Sequence, residues 1–248
     1  MSLDKKIILG IPTLSVTTGE GIRLLNQKVQ EGQKTMVGFL NAHTAFIAAK
    51  SKDVSSVLQR FTIFNDGLGI DIASWLKYGT AFSDNLNGTD FTPLYLAKST
   101  NRFRIFLLGA RAEVVEKAAQ YLTETYPQHR VVGFCDGYSH CDETLPERIR
   151  HTEADLILVA MGNPLQELWV AENFEKTDAV MAMCVGALFD FFAGRMPRAP
   201  RLLQRLRCEW LFRLCCEPRR LWGRYTAESL LFLLYALWDG VKYRLLHR

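Results

Sequence analysis

In the stretch FNDGLGIDIASW, residues 64–75, one carboxylate is placed where it can do chemistry. Asp66 follows the apolar, β-type run RFTIF and precedes a glycine pair and a helix-like segment, so its side chain falls where a strand turns into a helix. A carboxylate there either caps the helix or exchanges a proton with a ligand. Three further turns have the same character: NAHT at 41–44 after TMVGFL, GAR at 109–111 after RIFLLG, and MGNPLQ at 161–166 after DLILVA. For any one of them, turn-making and capping is explanation enough. Four polar loops on one predicted edge point to a shared pocket, because open α/β sheets bind ligands at the carboxyl ends of their strands.

The elements that must position these loops are legible as apolar runs. KIILGI, TMVGFL, RFTIF, RIFLLG, VVGF, DLILVAM and AVMAMCV read as strands, and AEVVEKAAQYLTETY, PLQELWVAENF and TPLYLAKST as helices between them. Continuous apolar strands alternating with amphipathic helices predict an α/β fold with a mostly parallel, Rossmann-like sheet covered on both faces. The texture changes at Arg195. Residues 1–194 carry 18 basic and 22 acidic side chains, whereas 195–248 carry 12 basic against 4 acidic, a local balance of +8. The expected organisation is an α/β catalytic domain over 1–194 and an Arg-rich helical appendage over 195–248. Such a tail suits an anionic partner, either nucleic acid or a membrane surface. Its longest apolar run, LLFLLYALW, is far short of the ~20 residues that span a bilayer. Arg interleaved with Trp, Leu and Phe suits a helix lying in the interface, or a helical pair packed on its own domain or on a second subunit.

Several classes lose support. The apolar stretch near the N-terminus is too short for a signal-peptide core, so the cytosol is the default. Six cysteines without a C-x-x-C pair read as reduced structural thiols, and Cys135, His140 and Cys141 match no zinc spacing. GARAEV supplies one glycine, Gly109, where a dinucleotide fingerprint needs three. Walker, H-E-x-x-H and G-x-S-x-G motifs do not occur, nor does D-x-D, the metal clamp of many nucleotide-sugar enzymes. No metal or cofactor is expected.

Taken together, NAHT (41–44), DGLGIDIAS (66–74), NGTD (87–90), RIFLLGA (104–110), VAMGNPLQELW (159–169) and VGALFDFFAGRMPRAP…EWLFRL…EPRRLWGRY (185–225) resemble the WecG/TagA/CpsF glycosyltransferases, glycosyltransferase family 26. The resemblance implies inverting transfer of a sugar from a UDP-sugar to a polyprenyl-diphosphate-linked acceptor in bacterial surface or exopolysaccharide synthesis, at the inner face of the cell membrane. It makes Asp66 the general base. Asn41, Thr44, Gly67, Gly69, Asn87, Thr89, Asp90, Gly109, Asn163 and Gln166 are then the expected donor or acceptor contacts, with Arg213, Arg220 and Arg224 at the lipid diphosphate. Arg side chains or helix N-termini would stabilise the leaving diphosphate. Phe39 and Asn85 stand where some family members have Thr and Arg, which leaves the donor sugar open. An Arg-rich nucleic-acid-binding α/β module is the alternative reading.

Overall fold

The computed structural model describes residues 4–138, 142–197, 199–200, 209–216, 218, 223 and 228–246, without the side chains of 209, 210 and 213. Within it the strands are β1 (Lys5–Ile8), β2 (Ile11–Leu14), β3 (Thr35–Leu40), β4 (Thr62–Asn65), β5 (Arg104–Gly109), β6 (Arg130–Cys135), β7 (Leu156–Ala160) and β8 (Met181–Cys184). They form one sheet in the order β1-β2-β4-β3-β8-β7-β5-β6. Every neighbouring pair is parallel except the β1–β2 hairpin. KIILGI, read as one strand, is therefore divided: Leu9 and Gly10 take positive φ (47° and 85°) and turn the chain back on itself. A left-handed turn inside an apolar run leaves almost no compositional trace.

The helices are α1 (Thr18–Gln30), α2 (Ala42–Lys50), α3 (Lys52–Leu58), α4 (Leu68–Tyr78), α5 (Gly88–Lys98), α6 (Ala112–Thr125), α7 (Leu145–His151), α8 (Leu165–Asn173), α9 (Leu188–Phe192), α10 (Glu209–Cys216) and α11 (Ser229–Leu246). Period-2 alternation sorts the strand residues into two cores. Ile105 and Leu107 face a core shared with α1, α5, α6 and α9, whereas Phe106 and Leu108 face one shared with α2, α3, α4, α7, α8 and α11. All of β7 and β8 is buried, as strands covered on both faces must be.

Sheet order creates the crevice. After β4 the chain crosses to the other half of the sheet, builds β5, β6 and β7 there, and returns to place β8 between β7 and β3. Parallel pairing puts the carboxyl ends of β3, β4, β5, β7 and β8 on one edge, with the reversal of strand order at their centre.

The C-terminal helix α11 lies against α4 and α2. Phe232, Ala236 and Gly240 recur every four residues and are its buried stripe. A Cβ at Gly240 would sit 2.8 Å from the carbonyl oxygen of Leu76, so only glycine permits this approach. Asp239 accepts hydrogen bonds from buried Lys77 (2.8 Å) and from the Leu9 backbone N–H (3.3 Å), fastening the helix to α4 and to the β1–β2 turn. Arg244 donates to Leu76 O, and Tyr235 meets Phe46 edge to face. The rest of the helix surface, including Leu230, Leu234, Leu237, Trp238 and Leu245, is exposed, with Trp238 71% accessible. No helix among the described residues is long and apolar enough to cross a membrane.

Candidate functional site

Two groups of side chains occupy the carboxyl edge, one on each side of β8. The first is built on β3 and β4. Asn41, directly after β3, is the N-cap of α2, and its Oδ1 accepts from the backbone N–H and the hydroxyl of Thr44 (3.0 and 3.1 Å). Thr44 is 1% exposed, so it holds the cap and presents no hydroxyl to a ligand. Asp66 follows β4 and its N–H donates to Leu40 O (2.8 Å), which pins the two strand ends together and sets Asp66 beside Asn41. Asp66 is not the N-cap residue of α4: that position belongs to Gly67, at φ +88°. The half-buried Asp66 carboxylate is thus presented at the edge on a glycine turn.

The segment after α4 wraps this turn. Asn85 Oδ1 accepts from Gly67 N–H (2.7 Å), and Asn65 donates to Asp84 O (2.7 Å). Asn87 caps α5 by accepting from the N–H groups of Thr89 and Asp90, and its side-chain NH₂ donates to the Asp90 carboxylate (2.8 Å). Asn87 and Thr89 are buried, so NGTD acts as a helix start whose Gly88 lies against the Phe39 ring. Gly69 fits against Ala42 and against Phe232 of α11. His43, one residue into α2, meets Glu228 immediately before α11 (2.6 Å).

The second group lies on β5, β7 and β8. Gly109 adopts φ +120° with Ala160 so near that a Cβ would fall 2.4 Å from its carbonyl oxygen, and Gly137 N–H closes on Ala110 O (3.0 Å). At the start of α8, Gln166 is 1% exposed: its amide NH₂ donates to Glu167 Oε1 (2.8 Å) and its oxygen accepts from Gly186 N–H (3.2 Å), tying the β7 loop to the β8 loop. Asn163 donates to the same Glu167 oxygen (2.6 Å). The other oxygen, Oε2, is buried with no hydrogen-bond partner among the described residues. Burial pushes the Glu167 carboxyl up to about 7, against the opposing pull of its bonds. At ~4.8 Å per strand, the two groups stand roughly 10–15 Å apart across β8.

Two hollows are lined by none of these residues. One of about 500 Å³, lined by Leu9, Lys50, Lys52, Ser55 and Gln59, is at the far end of α2 from Asn41. Another of about 390 Å³ opens beyond α9, between Asp190, Arg195, Met196, Pro197 and Cys216.

A family model described as "Glycosyl transferase WecG/TagA/CpsF family" matches residues 6–245, from β1 through α11. The chain belongs to this glycosyltransferase family. It is 30% identical over 191 residues to an N-acetylglucosaminyldiphosphoundecaprenol N-acetyl-beta-D-mannosaminyltransferase of Bacillus subtilis (strain 168), covering 76% of this chain and 74% of that protein. A protein of the same name from Bacillus spizizenii (strain ATCC 23059 / NRRL B-14472 / W23) is 28% identical over 186 residues, 74% of this chain and 72% of its own length.

For this glycosyltransferase the sheet brings together Asn41, Asp66, Gly67, Gly69 and the 87–90 turn on one side, and Gly109, Asn163 and Gln166 on the other. Arg220, Arg224 and the Arg213 side chain lie outside the described residues. Glu167 was not anticipated from sequence. A glutamate in the first turn of a helix reads as solvated, but Val170 and Ala171, three and four residues on, share its buried face. Asn85 and His43 were also missed as structural ties, because their partners are 18 and 185 residues away.

Proposed function

We propose that this glycosyltransferase moves a hexose from a UDP-sugar, with inversion, to a sugar carried on a polyprenyl diphosphate. The observation that carries the reading is Asp66, a half-buried carboxylate that follows β4 on a glycine turn beside Asn41. Inversion in one displacement needs a base that takes the proton of the acceptor hydroxyl as its oxygen attacks the anomeric carbon and the bond to UDP breaks. Asp66 is placed for that role. The glycines at 67 and 69 leave room for the sugars, Asn41 orients a hydroxyl through its amide group, and the Gly109 and Asn163 loops receive the nucleotide diphosphate across β8. Thr44, Asn87, Thr89, Asp90 and Gln166 act through the loops they hold.

No metal takes part in this reading: charge on the leaving diphosphate is met by N–H groups at helix starts and by Arg side chains. The reaction is placed on the cytoplasmic face of the cell membrane, the exposed apolar residues of α11 and the basic tail meeting lipid. The names of the two Bacillus relatives make a UDP-linked N-acetylmannosamine donor and a diphosphoundecaprenol-linked N-acetylglucosamine acceptor the first pair to test. Purified protein should release UDP from one UDP-sugar only when lipid-linked acceptor is present. Failure with every UDP-sugar and acceptor pair refutes the reading.

A further inference from the structure

The carboxyl of Glu167 is buried at the candidate site, and its bonds are lopsided. Oε1 takes the side-chain NH₂ groups of both Asn163 and Gln166, at 2.6 and 2.8 Å, while Oε2 has no partner among the described residues. Taking a carboxyl out of water and bonding only one of its oxygens costs stability. What Glu167 does provide is orientation. An amide is nearly symmetric in shape, and its two ends are told apart by what they bond to. With both NH₂ groups drawn to Glu167, the Gln166 oxygen is directed to Gly186 N–H, and the β7 and β8 loops are held at one spacing.

We propose that Glu167 is a positioning residue of the transfer site, which sets the amide orientation of Asn163 and Gln166 and through them the separation of the loops that follow β7 and β8. This rests on the proposed sugar transfer. The mechanism assigns Glu167 no contact with substrate: its reach ends at two amides and at the loops they hold. Sites tolerate displacement of such loops poorly, because reacting groups must stay within a fraction of an ångström of productive geometry.

The test separates shape from bonding. Glu167→Met keeps the length and removes the acceptor, whereas Glu167→Gln keeps an acceptor oxygen. In the full-length protein, Glu167→Met should fold but melt below the wild-type temperature, because the Asn163 and Gln166 amides lose their acceptor, while kcat for UDP release falls on the order of 10²-fold with little change in KM. Glu167→Gln should retain most of the rate. The side-chain NH₂ resonances of Asn163 and Gln166, assigned by their loss in Asn163→Asp and Gln166→Glu, should move toward solvent-exposed positions in the Met variant and stay near their wild-type positions in the Gln variant. A well-folded Met variant with wild-type kcat, or with both amide signals unmoved, overturns the proposal. If the wild-type protein turns over no UDP-sugar while the amide signals respond as described, the positioning role is supported and the proposed reaction is what fails.

Discussion

His129 and Glu167 are both buried titratable side chains, and they stand at opposite edges of the same sheet. His129, just before β6, uses both ring nitrogens: Nδ1 accepts from Phe103 N–H (3.2 Å), and Nε2 donates to Leu96 O (2.9 Å). Nearby, Arg104 forks onto Asp155 (3.0 and 3.1 Å) at the start of β5 and reaches Glu153. These two side chains at the amino edge are spent on neighbouring groups. At the carboxyl edge, Glu167 Oε2 has no hydrogen-bond partner among the described residues, and the half-buried Asp66 follows β4 on a glycine turn. His129 and Arg104 are arranged for stability; Glu167 is held in an arrangement that stability alone does not favour.

The contrast breaks most decisively at Asp66. Asp66→Asn keeps the size and polarity of the side chain and removes its basicity, so turnover should fall by roughly 10²-fold or more while UDP still raises the melting temperature. A folded Asn variant with near-normal UDP release would make the carboxyl edge as structural as the other. Asp239→Ala, away from the candidate site, strips the ion-pair partner from buried Lys77 and should cost about 1–3 kcal/mol in chemical denaturation. Unchanged stability would mean that α11 is not fastened there.

Acid and base should pull the two buried groups in opposite directions. The Glu167 carboxyl is raised from the ordinary carboxylate range to about 7 by burial, so the folded protein keeps a proton that the unfolded chain releases. That stabilisation is present at pH 4 and is lost as pH climbs to about 7. Glu167→Gln should therefore gain melting temperature relative to wild type more at pH 8 than at pH 5; an equal gain at both contradicts the assignment. His129 is lowered, chiefly by burial, so the unfolded chain takes up its proton first and stability falls as pH drops below ~6.5. In His129→Gln that acid-side slope should be shallower, as urea titrations at several pH values can show. The smallest effect expected is none: EDTA should leave the UDP-induced rise in melting temperature in place, and its disappearance would put a metal at the site.

Legibility in the sequence followed the same division between edges. The parallel strands were legible because a strand buried on both faces must be apolar throughout, as LILVA is at β7. The site loops were legible as places, since Asn, Asp and Gly after such runs mark strand ends. Their roles were less so. Asn41, Asn87 and Gln166 have the side chains of sugar-binding residues and also of caps and ties, and composition does not separate the two uses. The start of α2 was hidden because NAHTAFIAAK lacks a clear apolar period, its mixed faces being covered by α3 on one side and α11 on another. Where α11 packs was undetermined for a similar reason. Its buried stripe of Phe232, Ala236 and Gly240 is no more apolar than the leucines it leaves exposed.

The glycine at 240 has one further consequence. With no side chain between its backbone and Leu76 O, α11 cannot roll about its long axis without driving a neighbouring side chain into α4. Trp238 and the exposed leucines therefore keep a fixed heading relative to the sheet. Phe232 packs on Gly69, three residues after Asp66, so that heading is referenced to the carboxyl edge itself. Any flat surface that the helix meets finds Asp66 at one height and one tilt, as if the protein carried its own spirit level.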